Sequence, residues 1–398
     1  MKINNTAIKR ILTFVMVLIL ALATSGCKTY DNFIESNNPK PDDVIRIGIF
    51  EPLSGSDKKG GELEIKGIKL AHELYPTVLG KKVELVYVDN KSELDIAQKA
   101  AQELVDKQVD IVLGSYGNAL SLAGGEIFEA AKIPAINITG TNPLITKGNP
   151  YYFRICIVDS FQGVMAAKYV YNYLETDKVV IMKAYNDDYG SALAQQFMEK
   201  FISLTESDDS IVATVEYISG SKDFTRQLER IRSSDAKVVF LPGALEDSIE
   251  IVKQARSRGM NNIFLGTDLW YQDALIEEGG EAVENMIFTT YFDADSTVTE
   301  TTKEFLEVYR NKYGDEEPHS AVALGFDAYL LAIDAIKRHA ESQNYKTLKQ
   351  VLQETREFQG ATGSITFDEN GDPIKTVVFM AVENGEFVSK GTEEPSWE

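Results

Sequence analysis

The chain has 398 residues, with 61 Asp and Glu against 40 Lys and Arg, for a formal net charge of −21. That acidity argues against nucleic acid or an anionic lipid surface as a partner, and it bears on solubility rather than fold. Of the two cysteines, Cys27 closes the apolar leader and is taken up below, which leaves Cys156 without a partner for an internal disulfide; the scattered His72, His319 and His339 offer no metal-ligand cluster, so no metal or cofactor is expected.

Lys2, Lys9 and Arg10 precede an apolar run over 11–23, and Thr24, Ser25 and Gly26 are small. This is the anatomy of a secretory signal, too short for a membrane span. The stretch ATSGC at 23–27 resembles a bacterial lipobox, with Thr24 where leucine is usual. The resemblance implies that residues 1–26 are removed and that Cys27 receives a diacylglyceryl group. Its chains would hold the protein to the outer leaflet of the cell membrane, outside the cytoplasm, at about 0.8 kcal/mol per buried methylene. Residues 27–43 are polar and aperiodic and read as a flexible tether.

From Val44 the chain alternates. Residues 44–50 form a short β-branched run, a strand followed by a Pro and Gly turn. Leu63, Gly67, Leu70 and Leu74 mark one helical face, with Gly67 permitting close approach to a sheet. Strands are predicted at 83–88, 109–113 and 134–138, with helices over 97–105 and 122–132 between and before them. The rhythm then restarts: strands at 178–182, 211–218, 236–241, 263–265 and 286–290, and helices at 161–174, 191–203, 224–233 and 248–258. Two long amphipathic helices follow at 301–313 and 321–340. The last strands, 364–367, 375–382 and 386–389, are punctuated by Asn370-Gly371 and Asn384-Gly385 and read as antiparallel hairpins. The pattern predicts an α/β fold of two lobes, each a mostly parallel sheet with helices on both faces. The lone Cys156, inside the apolar FRICIV, reads as a small buried hydrophobe.

In open α/β sheets ligands bind beyond the carboxyl ends of the strands. Four loops there are small and polar: Gly114–Asn118, Thr139–Pro143, Tyr185–Gly190 and Gly266–Trp270. The first two present bare backbone N–H groups and hydroxyls, and the first leads into a helix N-terminus, which suits a carboxylate. Asp268 suits an ammonium, and Tyr189 or Trp270 could cover an apolar side chain. Taken singly, Asn118 and Thr141 read equally well as helix caps, Asp268 as a turn residue and the aromatics as core.

The motifs together resemble the type I periplasmic binding proteins of the branched-chain (Leu/Ile/Val) amino acid group, the receptors of ABC importers. The resemblance spans about Val44 to Val388. Its marks are Ile47-Gly48, Leu53-Ser-Gly55, Gly67, Val112-Leu-Gly114, Ile133-Pro134, Thr141-Asn-Pro143, Phe153-Arg154, Asp159 and Gly163. Tyr189-Gly190, Lys222-Asp-Phe224, Gln254-Ala-Arg256, Gly259, Gly325-Phe-Asp-Ala328, Gly360-Ala-Thr-Gly363, Phe367-Asp and Gly371 follow in order. It implies two Rossmann-like lobes joined by a three-stranded hinge that closes on a ligand. The N-terminal lobe would comprise 44–157 and 292–357, and the C-terminal lobe 158–291 and 358–398. The family's pattern assigns the loops carrying Asn118 and Ala119 and Thr139, Gly140 and Thr141 to gripping the α-carboxylate and helping with the ammonium, Asp268 to pairing with the ammonium and Tyr189 to the lid. Asn118 stands where serine is usual, Asp268 where glutamate is usual, Gly60 where an aromatic is common and Ala244 where a tyrosine can occur. The implied partners are an amino acid, an ABC permease with its ATPase, and the membrane through the lipid.

An enzyme on the same fold class lacks support: no GxGxxG opens the first helix, there is no P-loop, and no histidine sits in a nucleophile motif. Two readings keep the binding role: a lipid-anchored sensor, and a transporter component for an amide, a urea-like solute or an aromatic acid.

Overall fold

The computed structural model describes residues 44–294, 298–314, 316–343 and 345–393. The leader, Cys27 and the tether lie outside these residues. Among the described residues no helix is long and apolar enough to cross a membrane.

Six strands make the first sheet: β1 (Val44–Glu51), β2 (Thr77–Val78), β3 (Lys81–Asp89), β4 (Ile111–Gly114), β5 (Ala135–Asn137) and β6 (Tyr152–Arg154), in the order β2-β3-β1-β4-β5-β6. All pairings are parallel except that of the two-residue β2 at the edge. β7 (Val179–Ala184), β8 (Ile211–Tyr217), β9 (Val238–Phe240), β10 (Ile263–Gly266) and β11 (Ile287–Thr290) build the parallel part of a second sheet. β12 (Phe358–Gly360), β13 (Gly363–Phe367) and β14 (Pro373–Lys375) form a small antiparallel sheet. β15 (Val377–Glu383) and β16 (Glu386–Glu393) complete the second sheet, whose order is β16-β15-β11-β10-β9-β7-β8. Central strands such as β4, β9 and β11 are buried at every residue, as strands covered by helices on both faces must be.

The chain leaves the first large sheet for the second between β6 and β7, runs back to the helices of the first lobe after β11, and enters the second sheet again between β14 and β15. After β11 it returns to the first lobe, where helix Ser320–Glu341 packs along helix Lys58–Leu74. Glycines set that contact: a Cβ on Gly67 would lie 1.9 Å from the Val322 carbonyl oxygen, and one on Gly325 would lie 2.2 Å from that of Glu64. Gly67 therefore brings a helix close, not the sheet expected from the sequence.

The C-terminus differs from the sequence reading in a second way. The strand expected over 375–382 is two strands, and the chain changes sheets at Thr376. Residues 358–375, expected in the second lobe, make their own sheet, tied back to β6. The Arg154 N–H donates to the Gly371 carbonyl at 3.0 Å, and Arg154 Nε donates to Asp372 Oδ1 at 2.8 Å. The Asn384-Gly385 turn does join β15 to β16, with both residues at positive φ and Glu383 opposite Glu386. That is the two-residue hairpin its sequence favours.

Candidate functional site

The loop after β4 is held from below by side chains. The Tyr152 hydroxyl donates to the Gly114 carbonyl. Asn90 Nδ2 donates to Ser115 Oγ at 2.8 Å, and the Ser121 hydroxyl donates to the Ser115 carbonyl at 2.8 Å. The Tyr116 N–H donates to Glu51 Oε2 at 2.8 Å. Asn118 is the first residue of helix Asn118–Ala131, with Gly117 as its N-cap. Its Oδ1 accepts from the Asn142 N–H at 3.2 Å, joining this loop to the next.

The loop after β5 is fixed by one cation. The buried Arg154 donates from Nη1 to the Gly140 carbonyl at 2.6 Å and from Nη2 to the Asn142 carbonyl at 2.7 Å, while Asp372 neutralises it. A planar fork with charge-assisted bonds suits that role. The Thr139 hydroxyl donates to Glu64 Oε1. Glu51 and Glu64 are both fully buried. Burial, and then the negative charge of Glu64, push the Glu51 carboxyl well above the usual range. Burial raises Glu64 to about 7 against the lowering pull of its bonds to Glu51 and Thr139.

Across the gap, Asp268 opens a short 3-10 turn after β10, and Tyr189 lies in the first turn of helix Asp188–Thr205, whose N-cap Asp187 accepts from the Tyr189 N–H at 3.1 Å. Donors converge on Asp268. The Tyr189 hydroxyl reaches its Oδ1 at 2.9 Å and Gln162 Nε2 reaches the same oxygen at 2.7 Å. Gln162 is itself fixed by a 2.7 Å bond from Nε2 to Thr289 Oγ1. Tyr291 is also hydrogen-bonded to Asp268; burial first and that carboxylate second push the Tyr291 hydroxyl far up, so it stays a neutral donor.

These two faces enclose a cavity of about 520 Å³. Asn118, Thr139, Gly140 and Thr141 line it from the first lobe, and Tyr189 and Asp268 from the second. Ala119 is exposed and is not among the lining residues. Trp270 is not a cover either: it is fully buried, its indole N–H donates to the Gly243 carbonyl at 3.2 Å, and its ring fills the space beside Gly266. Sequence reasoning passed over Tyr116, Tyr271, Gln272, Tyr291 and the start of helix Ser320–Glu341, all of which line the cavity. His319 caps that helix, accepting from the Ala321 N–H at 3.0 Å; burial and then Lys59 lower its basicity, so it is neutral at pH 7. The one usable signal for these residues is position, since Tyr116 lies within the glycine-rich loop after β4 and Tyr291 directly follows β11. The cavity sets uncharged polar residues and the N-termini of helices Asn118–Ala131 and Ser320–Glu341 against the Asp268 carboxylate on the opposite face.

The chain from residue 44 to 386 matches the family model described as "Periplasmic binding protein". It belongs to that family. The structure of the leucine-binding protein LivK from Thermotoga maritima has 37% sequence identity to it and a TM-score of 0.71, covering 88% of this chain and 99% of that one. LivJ from Streptococcus pneumoniae, solved in complex with isoleucine, is 30% identical with a TM-score of 0.69 over 88% and 99% of the two chains. An "Amino acid binding protein" of Pseudomonas aeruginosa is 30% identical over 275 residues, 67% of this chain and 72% of its own. None of the three is named as an enzyme. The two lobes are those of a type I periplasmic binding protein.

In this periplasmic binding protein the small residue at 60 is compensated. The Tyr116 ring lies against Gly60, where an added Cβ would come within 2.3 Å of it. The aromatic wall is thus supplied from the neighbouring loop. Ala244 is exposed, caps helix Leu245–Ser257 and is not among the cavity-lining residues.

Proposed function

We propose that this chain is the substrate-binding component of an ABC importer and captures an amino acid with a branched or similar apolar side chain between its lobes. Asn118, Thr139, Gly140 and Thr141 would take the carboxylate, Asp268 the ammonium, and Tyr189 and Tyr116 the side chain. Cys27 would carry the lipid that tethers it outside the cytoplasm, and lobe closure would present the loaded form to the permease. The observation that carries the reading is the opposition of uncharged donors to the Asp268 carboxylate across one cavity. A zwitterion has its two charges at a fixed separation, and burying both requires that pairing. The named ligands of the LivK and LivJ relatives support it.

Thermal-shift and calorimetric titration of residues 28–398 with leucine, isoleucine and valine tests it, beside the same skeletons lacking the amino or the carboxyl group. A ligand at a hundredfold excess over its Kd stabilises the folded state by about 2.7 kcal/mol. Intact amino acids should shift the melt and both truncated forms should not. Equal shifts with the deaminated acid would remove Asp268 from the reading and favour an acid solute. Radioactive fatty-acid labelling, lost in Cys27→Ser, checks the anchor.

A further inference from the structure

Glu51 and Glu64 are unusual in lying fully buried directly behind the cavity wall without an ion pair among the described residues. Each touches a different cavity loop: Glu51 accepts from the Tyr116 N–H, and Glu64 is bonded to the Thr139 hydroxyl. The two carboxyls are hydrogen-bonded to one another. Glu51 Oε1 and Glu64 Oε2 are buried with no hydrogen-bond partner, which leaves each carboxyl an oxygen free to share a proton. Two carboxylates in contact cannot both be ionised without a cation.

Among the described residues no cation acts on either carboxyl. β1 contributes Glu51 itself, helix Lys58–Leu74 contributes Glu64, and the β4 loop and β6 contribute the phenols of Tyr116 and Tyr152, both raised chiefly by burial, Tyr116 further by Glu64 and Tyr152 further by Glu51 and Glu64. Helix Ser320–Glu341 meets the Glu64 backbone with Gly325. Beyond these, Asp57 acts on Tyr116 and Lys59 on His319. What sets the pair's affinity for protons is burial, mutual contact, the Tyr116 N–H and the Thr139 hydroxyl.

We propose that Glu51 and Glu64 are positioning residues for ligand binding: a proton held on Glu64 turns the Thr139 hydroxyl outward, and binding of an anionic ligand group retains that proton. With Glu51 holding the proton between the two carboxyls, a second proton on Glu64 Oε1 donates to Thr139 Oγ1, and the Thr139 proton is left to donate into the cavity. With Glu64 ionised, the Thr139 hydroxyl must donate backward, and only its lone pairs face the ligand. Ionisation also places a buried negative charge behind the wall that receives the ligand's own negative charge. Affinity for a carboxylate therefore falls as Glu64 loses its proton, and Glu64 gives up that proton at a higher pH when ligand is bound. This rests on the reading of the cavity as an amino-acid site.

The test has two arms on the mature chain. Infrared difference spectra of the unliganded protein between about pH 5.5 and 8.5 should show the stretch of a protonated buried carboxyl, diminished in Glu64→Gln. Calorimetric affinity for leucine, or whichever amino acid binds tightest, should fall towards tenfold per unit above about pH 7, with proton uptake visible as a dependence on buffer ionisation enthalpy. Glu64→Gln, whose amide donates permanently to Thr139, should flatten the profile. Thr139→Val, which removes only the hydroxyl, should flatten it as well and keep the infrared band, which serves if the glutamine variant does not fold. A wild-type affinity that is flat across this window, or the absence of the carboxyl band, overturns the proposal. Binding of no amino acid at any pH with the band present overturns the ligand reading and the linkage with it, while leaving the protonated pair in evidence.

Discussion

Asp268 bears the one carboxylate among the side chains that line the cavity, and its surroundings preserve it as an acceptor. Tyr189 and Gln162 reach Oδ1, and Tyr291 adds a third bond. A carboxylate offers about four lone-pair sites, so a further donor from a ligand ammonium can still be accommodated. Asp268→Asn keeps the shape but turns one oxygen into an NH₂ that faces donors. Amino-acid affinity should fall about tenfold or more, the loss of one charge-assisted bond worth about 1.5–3 kcal/mol. Calorimetry on the purified variant measures this, and unchanged affinity for every amino acid would take Asp268 out of the site. Tyr116 makes a separate case. Its ring occupies the space above Gly60 that a side chain there would need. Tyr116→Ala should cost leucine about 1–3 kcal/mol of binding, the scale of a lost apolar contact, and cost a bulkier aromatic amino acid less. Titration of the variant with leucine and phenylalanine in parallel tests the difference. A uniform loss for both would mean that the ring supports the loop and does not face the ligand side chain.

At the scale of elements, the crossing of helices Lys58–Leu74 and Ser320–Glu341 ties the returning segment to the first lobe. Gly67→Ala would drive a methyl to within 1.9 Å of the Val322 carbonyl oxygen, which is backbone and cannot rotate away. Overpacking of this kind costs about 1–3 kcal/mol, and the gain in helix propensity of about 1 kcal/mol does not offset a forced separation of two helices. The urea midpoint should drop with the slope unchanged; an unchanged midpoint would show that the helices part easily. Much of this level is legible in the sequence. Strands buried on both faces appear as short apolar runs, and that signal alone places β4, β9 and β11. It fails where geometry is not periodic. Of the face read as Leu63, Gly67, Leu70 and Leu74, Gly67 and Leu70 are buried, but the buried stripe is shifted to include Glu64, Ile65, Ile68 and Ala71, with Leu63 and Leu74 only half-buried. Glu64 is hidden because an acid inside an apolar stripe is discounted when the stripe's phase is misjudged. The sheet change at Thr376 is equally invisible, since β14 and β15 together read as one β-rich run. Of the cavity residues, those on loops that follow strands are legible. The roles of Tyr116 and Tyr291 are not, because nothing local to an aromatic says which way its ring turns.

At the scale of the whole molecule, the buried acid pair couples folding to pH. Glu64 binds its proton with a pKa of about 7 in the folded chain against an ordinary value of 4.5, and burial raises Glu51 in the same direction. A carboxyl whose folded pKa is raised holds more protons in the native state, so stability decreases with pH across the interval. The contribution is fully present below the unfolded value of 4.5 and is lost as pH rises through about 7. Asp327, raised chiefly by burial although Lys375, Thr362 and the Ala361 N–H pull it down, acts with the same sign. Lys375 acts oppositely: burial lowers it to about 8, so its folded form favours the neutral amine and gains relative stability only above that value. Between about pH 5 and 7.5 the acids therefore dominate, and the melting temperature of the unliganded protein should decline over that range by an amount on the order of 1–3 kcal/mol in stability. Thermal melts at constant ionic strength check it, and Glu64→Gln should remove much of the slope. A bound amino acid should oppose the decline, since a ligand that retains the Glu64 proton keeps the native state in its protonated form. If stability instead rises steadily from pH 5 to 7.5 in both proteins, ordinary surface carboxylates outweigh the pair, and its proton is not held as the geometry requires.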